Sequence, residues 1–197
     1  RLETMQPTAD DRPRVDAALA ETDRLSRLVQ SLLVIARSEA AEPELADVDL
    51  AAIARDRRDA WSEFADRSAV DLVIEGPESL VVRAVDGGVE QILDNLLSNA
   101  LDISPEHTTI TIGLTSNDDG GGQLTVTDQG PGMTDDQRRQ ATARFWRPPG
   151  STSSGSGLGL AIVDHLALSG GGELSLEPGP TGVGLCARLT FAPPQEP

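Results

Sequence analysis

The spacing of apolar residues predicts one long helix near the start of the chain. From Pro13 to Glu39 apolar positions recur every three or four residues, as on one face of an amphipathic helix. The seam of this stripe consists of Val15, Ala18, Thr22, Leu25, Val29, Leu32 and Ala36. Further aliphatic residues widen the stripe, which favours a bundle of more than two helices. An ordinary amphipathic helix packed on its own domain is the alternative.

The rest of the chain alternates between extended and helical patterns. The acidic residues and Pro43 within 40–49 predict a linker. Helices are expected at 50–68, at 88–103, from Thr134 onwards, and after the glycine-rich loop as far as Leu168. Strands are expected at 70–75, 80–85, 108–116, 123–128, 173–177 and 183–191, with a hairpin across 117–122. This order predicts an α+β fold, a two-layer sandwich with helices on one face of a largely antiparallel sheet.

Composition limits the kinds of partner that the chain can have. The formal net charge is −16 and aromatic residues make up 3% of the chain, so aliphatic side chains must fill the core. An acidic surface disfavours nucleic acid and direct membrane contact, and any phosphate ligand must be held locally. The single cysteine, Cys186, is expected to be a small buried strand residue. We expect a cytoplasmic chain that is part of a longer protein.

The helix predicted at 88–103 has a polar stripe opposite its apolar face. The apolar face consists of Val89, Ile92, Leu93, Leu96, Leu97 and Ala100. The polar stripe consists of Gln91, Asn95, Ser98, Asn99 and Asp102. Asn95 and Asn99 are one helical turn apart, so their carboxamide oxygens could bind a hard cation such as Mg²⁺. A pair of solvated asparagines on an exposed helix face is the simpler interpretation.

Two glycine-containing segments offer further ligand groups. Asp128 stands at the end of a predicted strand and precedes Gly130 and Gly132. A carboxylate in that position can accept a hydrogen bond from an exocyclic amine, although a plain glycine turn is the alternative. Residues 155–160 (Gly-Ser-Gly-Leu-Gly-Leu) open a helix, whose exposed N–H groups and partial positive charge suit a triphosphate. A dinucleotide-binding motif is disfavoured, because a loop and not a strand precedes these glycines.

The order of these motifs resembles the sensor histidine kinase catalytic domain. The asparagine-bearing helix, Asp128 to Gly132, Phe145 to Arg147, Gly155 to Leu160, and Gly182 to Gly184 resemble its N, G1, F, G2 and G3 boxes. The resemblance implies the Bergerat ATP-binding fold, which gyrase and MutL share. It assigns residues 43–197 to the catalytic domain. It assigns 1–42 to part of the dimerisation and phosphotransfer hairpin, mainly its second helix.

The resemblance also implies a role for each matching residue. Asn99 would be the main Mg²⁺ ligand, with Asn95 assisting. Asp128 would hold the adenine amine, and Gly130 and Gly132 would shape the adenine pocket. The segment that would wrap the phosphates consists of Gly155, Gly157, Leu158 and Gly159.

A mobile lid over the phosphates is the next implied feature. It would span roughly Pro148 to Ser156, with Phe145 as its anchor. Arg147 could reach a phosphate and would join Asn95 and Asn99 in catalysis. Phe145 could instead simply pack in the core.

The chain departs from the family at two places. Where the family usually has Lys or Arg and then an aromatic residue, three and four positions after the second asparagine, this chain has Asp102 and Ile103. The phosphoacceptor histidine with its following acidic residue is not found, because neither His107 nor His165 matches that motif. We therefore expect that the chain cannot phosphorylate itself.

The resemblance implies Mg-ATP as cofactor and transfer of its γ-phosphoryl group to a histidine on a missing hairpin helix. A response-regulator receiver domain, a homodimer in the intact protein, and a membrane-anchored sensor with this chain on its cytoplasmic side are further expectations. One alternative is an ATP hydrolase, which is disfavoured because those relatives have a Glu at the position of Asn95. The others are a serine kinase and a degenerate, non-catalytic dimerisation module, which Asp102 and Ile103 would favour.

Overall fold

A computed structural model of the protein describes residues 43–148 and 156–195. The predicted helix 13–39, the proposed hairpin and Gly155 lie outside the described residues. The elements along the chain are β1 (Leu45–Asp49), α1 (Leu50–Arg67), β2 (Asp71–Glu75), β3 (Val81–Val85), α2 (Gly88–Ile103), β4 (Thr109–Ser116), β5 (Gly122–Thr127), α3 (Asp135–Gln140), α4 (Gly159–Ser169), β6 (Glu173–Pro178) and β7 (Leu185–Phe191). None of these helices is long and apolar enough to cross a bilayer.

Five of the strands form one mixed sheet. Their order is β2-β4-β5-β7-β6, and among the described strands of this sheet the β2–β4 pair alone is parallel. The hairpin predicted across 117–122 is confirmed by the antiparallel β4–β5 pair, in which Ser116 lies opposite Gly122. The other two strands, β1 and β3, form a separate antiparallel pair. The predicted α+β fold, with a sheet packed against helices, is confirmed.

The core lies between the sheet and the helices. Strand β4 alternates buried Ile110, Ile112 and Leu114 with threonines and a glycine on the other face. Helix α2 packs against both α1 and α4, and its predicted apolar face is buried throughout. Cys186 is buried in a strand, as expected. This packing holds α2 by its apolar side and leaves its polar stripe turned away from the core.

The prediction of a linker as far as Asp49 is wrong. Residues 45–49 form β1, which pairs with β3 from Leu45 opposite Val85 to Asp49 opposite Val81. The Oδ1 atom of Asp49 accepts the N–H of Ala51 at 2.9 Å and so caps α1. The acidic residues Asp47 and Asp49 are therefore themselves paired with β3, opposite Arg83 and Val81, and Asp49 also caps a helix.

The Gly76–Pro77 turn joins two strands that belong to different sheets. Strand β2 pairs with β4, whereas β3 pairs with β1. At Gly76 the chain runs so close to β4 that a Cβ would lie 2.4 Å from the carbonyl oxygen of Leu114. Its φ of +137° is also one that side chains rarely adopt, so both the close contact and the backbone conformation require glycine at this position.

Candidate functional site

The two asparagines of α2 meet the first residue of α4. The Nδ2 atom of Asn95 donates to the carbonyl oxygen of Gln91 at 2.8 Å, which fixes its carboxamide. Three carboxamide atoms lie near the point that a Cβ on Gly159 would occupy: Nδ2 of Asn99 at 3.1 Å, Oδ1 of Asn95 at 3.3 Å and Oδ1 of Asn99 at 3.4 Å. The two carboxamides thus meet beside the start of a helix, each with its oxygen within reach of that point. Amide oxygens are ligands that a hard divalent cation accepts.

Helix α4 presents an uncapped N-terminus at the same place. Its N-cap residue, Leu158, is 1% exposed, and no side chain of the described residues caps the helix there. The side chain of Leu158 belongs to the core, so only its backbone could contact a ligand. The free N–H groups of the first turn and the helix dipole favour an anion at this position.

A backbone hydrogen bond joins the two stretches that flank residues 149–155. The N–H of Phe145 donates to the carbonyl oxygen of Gly157 at 2.9 Å. A Cβ on Gly157, whose φ is +71°, would lie 2.7 Å from the carbonyl carbon of Phe145. The Phe145 side chain is 64% exposed, so core packing is the wrong interpretation of this residue. Phe145 is held by its backbone, at a φ of +65°.

Asp128 is a buried carboxylate, with 5% of its surface exposed. Its Oδ1 atom accepts two backbone N–H groups, from Gly130 at 2.8 Å and from Leu185 at 3.2 Å. Burial raises the pKa of this carboxyl above its ordinary value of 3.8, and the two hydrogen bonds act in the opposite direction. The pocket therefore contains one anchored carboxylate that is poorly solvated.

Three glycines surround Asp128. A Cβ on Gly184 would lie 1.9 Å from the carbonyl oxygen of Asp128, and a Cβ on Gly132 would lie 2.7 Å from the carbonyl oxygen of Gly184. A Cβ on Gly130 would lie 2.9 Å from the carbonyl oxygen of Ile103, the last residue of α2. The motif Gly182-Val-Gly184 alone gives no reason for a glycine at 184. Close backbone packing is visible only in three dimensions.

Four further residues that the sequence singled out are an arginine, an aspartate and two histidines. Arg147 and Asp102 are both exposed, and each makes an interaction within the protein. His107 is exposed and has a φ of +64°. His165 is half-buried on α4, with its Nε2 atom 3.5 Å from the hydroxyl of Ser169.

Known proteins share this fold and these motifs. The family of histidine kinase-, DNA gyrase B- and HSP90-like ATPases matches residues 84–196. The chain is 34% identical to the sensor histidine kinase MtrB of Mycobacterium leprae over 186 residues, which are 91% of this chain and 33% of that protein. It is 30% identical to the sensor-like histidine kinase SenX3 of Mycolicibacterium smegmatis, over 99% of this chain and 52% of that protein. The chain thus spans about a third of the length of one of these curated relatives and about half of the other.

Solved structures agree with the sequence relatives. Full-length ShkA in complex with AMPPNP superposes with a TM-score of 0.79 at 30% identity, over 99% of this chain and 42% of ShkA. The nucleotide-free catalytic domain of the histidine kinase ThkA superposes with a TM-score of 0.68 at 22% identity, over 77% of this chain and 99% of that domain. The second likeness concerns the fold alone.

The chain belongs to the histidine kinase-, DNA gyrase B- and HSP90-like ATPase family. Within it, the chain carries the ATP-binding catalytic domain of a sensor histidine kinase.

Proposed function

We propose that this chain is the Mg-ATP-binding catalytic portion of a two-component sensor histidine kinase. It transfers the γ-phosphoryl group of ATP to a histidine on a hairpin helix that the chain does not contain. That histidine then passes the group to the receiver domain of a response regulator. The observation that carries the proposal is the convergence of the Asn95 and Asn99 amide oxygens on the uncapped N-terminus of α4.

The residues at the start of α4 fit a metal-bound triphosphate. Asn99 is the main Mg²⁺ ligand in this proposal and Asn95 the second, because both oxygens lie within 3.4 Å of one point beside Gly159. Bound Mg²⁺ neutralises phosphate charge and orients the triphosphate. The backbone N–H groups of Gly157 and Gly159 hold phosphate oxygens in this proposal, together with Gly155 from outside the described residues. The N–H of Leu158, which donates to the Ser156 hydroxyl at 3.3 Å, exchanges that partner for a phosphate oxygen. Positioning and charge stabilisation of this kind are what phosphoryl transfer chiefly requires.

The base end of the site is built around Asp128. Its carboxylate accepts the adenine amine in this proposal. Gly130 and Gly132 shape the adenine pocket because, without side chains, they let the backbone of Ile103 and Gly184 pack closely around Asp128. Arg147 contacts a phosphate in this proposal, which follows from its place in the motif after Phe145. The Phe145–Gly157 hydrogen bond brings together the two described stretches on either side of residues 149–155.

Hydrolysis of ATP is the less favoured activity. The amide of Asn95 donates to the carbonyl of Gln91 and cannot take a proton from water, so it is no general base. Transfer to another side chain needs no such base on α2, because the acceptor imidazole is itself the nucleophile.

The assembly of the whole protein is also part of the proposal. Residues 43–197 are the catalytic domain, and 1–42 are the second helix of a dimerising hairpin with the end of the first. The intact protein is a homodimer, anchored in a membrane through segments outside this chain, with the catalytic domain on the cytoplasmic side. This arrangement is supported by the apolar seam of 13–39 and by the membrane-sensor character implied by the resemblance.

A labelling experiment tests the phosphoryl transfer. Incubated with γ-labelled ATP and Mg²⁺, the chain alone is expected to remain unlabelled, because neither of its histidines stands in a phosphoacceptor motif. A separately supplied hairpin that carries the acceptor histidine is expected to gain acid-labile label. Gel autoradiography before and after acid treatment measures both outcomes. Acid-labile label on His107 or His165 of the chain alone would contradict the assignment, and His107→Ala and His165→Ala variants identify the site.

ATP affinity is expected to depend on pH through Asp128. The amine of adenine donates to the ionised carboxylate, so binding lowers a pKa that burial has raised. ATP affinity is therefore greatest at pH values above the raised pKa of Asp128 in the free protein. It falls as the pH drops through that pKa, so the loss begins at a higher pH than the ordinary carboxyl pKa of 3.8 would give. Calorimetry across this range, in buffers with different ionisation enthalpies, should also detect proton release on binding. An Asp128→Ala variant whose affinity falls over the same range would assign the titration to another group.

A further inference from the structure

Asp94 and the two asparagines of α2 lie on opposite flanks of the buried apolar face of this helix. Each residue of an α-helix turns about 100° around the axis, so Asn95 lies about 100° and Asn99 about 140° away from Asp94. The asparagine flank meets the start of α4 at Gly159. The other flank meets α1, where the Oδ1 atom of Asp94 accepts the Nε1–H of Trp61 at 2.8 Å. Helix α2 therefore connects α1 to the proposed metal site.

Helix α1 is a fixed support for this hydrogen bond. Its start is tied to Leu80, the residue before β3: the Oδ1 atom of Asp49 accepts the Leu80 N–H at 2.9 Å, and the Leu50 N–H donates to the Leu80 carbonyl at 2.9 Å. The indole of Trp61 is half-buried against the core, and its ring centroid lies 5.3 Å from that of Phe64. The indole N–H is therefore held in place where it meets α2.

The hydrogen bond between Trp61 and Asp94 is the directional contact on this flank. The burial of aliphatic side chains depends on area and not on direction, whereas an N–H···O bond weakens steeply as its angle closes. The neighbouring ion pair constrains α2 less, because the Arg57 guanidinium lies 3.6 Å from the Asp94 carboxylate and the two side chains are 27% and 41% exposed. A rotation of α2 about its axis is thus opposed mainly by one hydrogen bond.

We infer that Asp94 is a positioning residue for the metal site: by accepting the Trp61 indole N–H, it fixes the rotation of α2 at which the Asn95 and Asn99 oxygens face the metal. This inference rests on the proposed function, since it concerns the same site. A rotation of about 10° moves an atom that lies about 6 Å from the helix axis by about 1 Å. A misplacement of about 1 Å can slow a reaction roughly 100-fold.

Three substitutions test the inference. Trp61→Phe removes the N–H donor and keeps an aromatic ring, Asp94→Ala removes the acceptor, and Asp94→Asn keeps an amide oxygen that can accept the same N–H. The first two are expected to need roughly tenfold more Mg²⁺ for the same tightening of ATP binding, with metal-free ATP affinity within about threefold of that of the unaltered chain. Their kcat for transfer to a supplied hairpin should fall roughly tenfold or more at saturating Mg-ATP.

The remaining variants separate the hydrogen bond from other effects. Asp94→Asn is expected to restore the Mg²⁺ response and kcat to within about threefold of those of the unaltered chain, because its amide still accepts from Trp61. The double variant Trp61→Phe with Asp94→Ala is expected to be no worse than either single variant, since both remove the same bond. Calorimetric titration of ATP at increasing Mg²⁺ concentrations and the labelling assay measure these effects.

Glu177→Ala is the matched control for a purely structural role. The Glu177 carboxylate accepts from Nε and NH2 of Arg188 at 3.0 and 2.9 Å. Arg188 lies opposite Thr125, on the face of the sheet that points away from the helices. This control should lower the urea midpoint and leave the Mg²⁺ response and kcat unchanged. An Asp94→Ala variant that behaves in the same way would overturn the inference.

The other outcomes also decide. Asp94→Asn as impaired as Asp94→Ala would assign the effect to the negative charge and overturn the role of the indole hydrogen bond. If Asp94→Ala does not fold, as judged by circular dichroism, Trp61→Phe decides, and a normal Mg²⁺ response in it overturns the inference while ATP binding stands. No ATP binding by the folded, unaltered chain, or binding that Mg²⁺ does not tighten, overturns the proposed function itself.

Discussion

Gly184→Ala is expected to destabilise the domain by about 3 kcal/mol or more and to abolish ATP binding. A Cβ at this position would lie 1.9 Å from the backbone oxygen of Asp128 and 3.0 Å from its Oδ1 atom. Backbone cannot move aside as the end of a flexible side chain can. Either the turn before β7 or the loop after β5 must therefore shift, and Asp128 shifts with it. Urea denaturation measures the first effect and calorimetry with ATP the second.

Gly182→Ala is the matched control for this substitution. Gly182 has a φ of +77°, close to the +79° of Gly184, but an added Cβ would meet no atom within 4 Å. The Gly182→Ala variant should therefore lose only about 1 kcal/mol of folding stability, the cost of a left-handed backbone conformation at alanine, and should keep its affinity for ATP. Equal losses of stability in the two variants would mean that the contact with Asp128 is not what requires glycine at 184.

Asn99→Ala is expected to reduce phosphoryl transfer to a supplied hairpin by about 100-fold or more. The substitution removes one of the two amide oxygens beside Gly159, so the metal loses its main protein ligand in the proposed site. Helix α2 should remain intact, because its buried apolar face is unchanged and alanine favours helix. Calorimetric titration of ATP at increasing Mg²⁺ concentrations should show that the metal no longer tightens binding.

Asn117→Ala removes the same carboxamide from the β4–β5 hairpin turn, where the Asn117 backbone N–H bonds to Gly121 and is retained. This control should transfer phosphate and respond to Mg²⁺ like the unaltered chain. If Asn99→Ala responds to Mg²⁺ in the same way, Asn99 is not a metal ligand. The asparagine pair would then be the solvated pair that the sequence also allowed.

The regular elements could be predicted where local pattern and burial coincide. Helix α2 begins and ends where its period predicts, because a core on one side makes every third or fourth residue apolar. Strand β1 could not be predicted in this way. It is half-buried, and its partner β3 lies far along the chain, so nothing local distinguishes its acidic residues from those of a linker.

The candidate site was predicted by the order of its motifs rather than by any one of them. The sequence placed Asn95 and Asn99 on one stripe, but only the fold brings that stripe to Gly159. The surroundings of two residues could be learned only from the structure. Core packing was one alternative for Phe145, yet its backbone is held while its ring stays exposed. Gly184 was only a member of a motif, yet a Cβ added there would lie closer to Asp128 than one added at Gly130.

Strand β1, which stands where a linker was expected, makes the first described residues of the domain part of a hydrogen-bonded pair of strands. From Leu45 onwards β1 is hydrogen-bonded to β3, and the carbonyl of Glu44 accepts the N–H of Asp86 at 3.0 Å. Two residues after Asp86, the backbone enters α2 at Gly88, and α2 carries both asparagines. A pull or twist that reaches residue 44 therefore meets no flexible linker between residues 44 and 49. It either breaks the hydrogen bonds between β1 and β3 or moves β1, β3 and the start of α2 together.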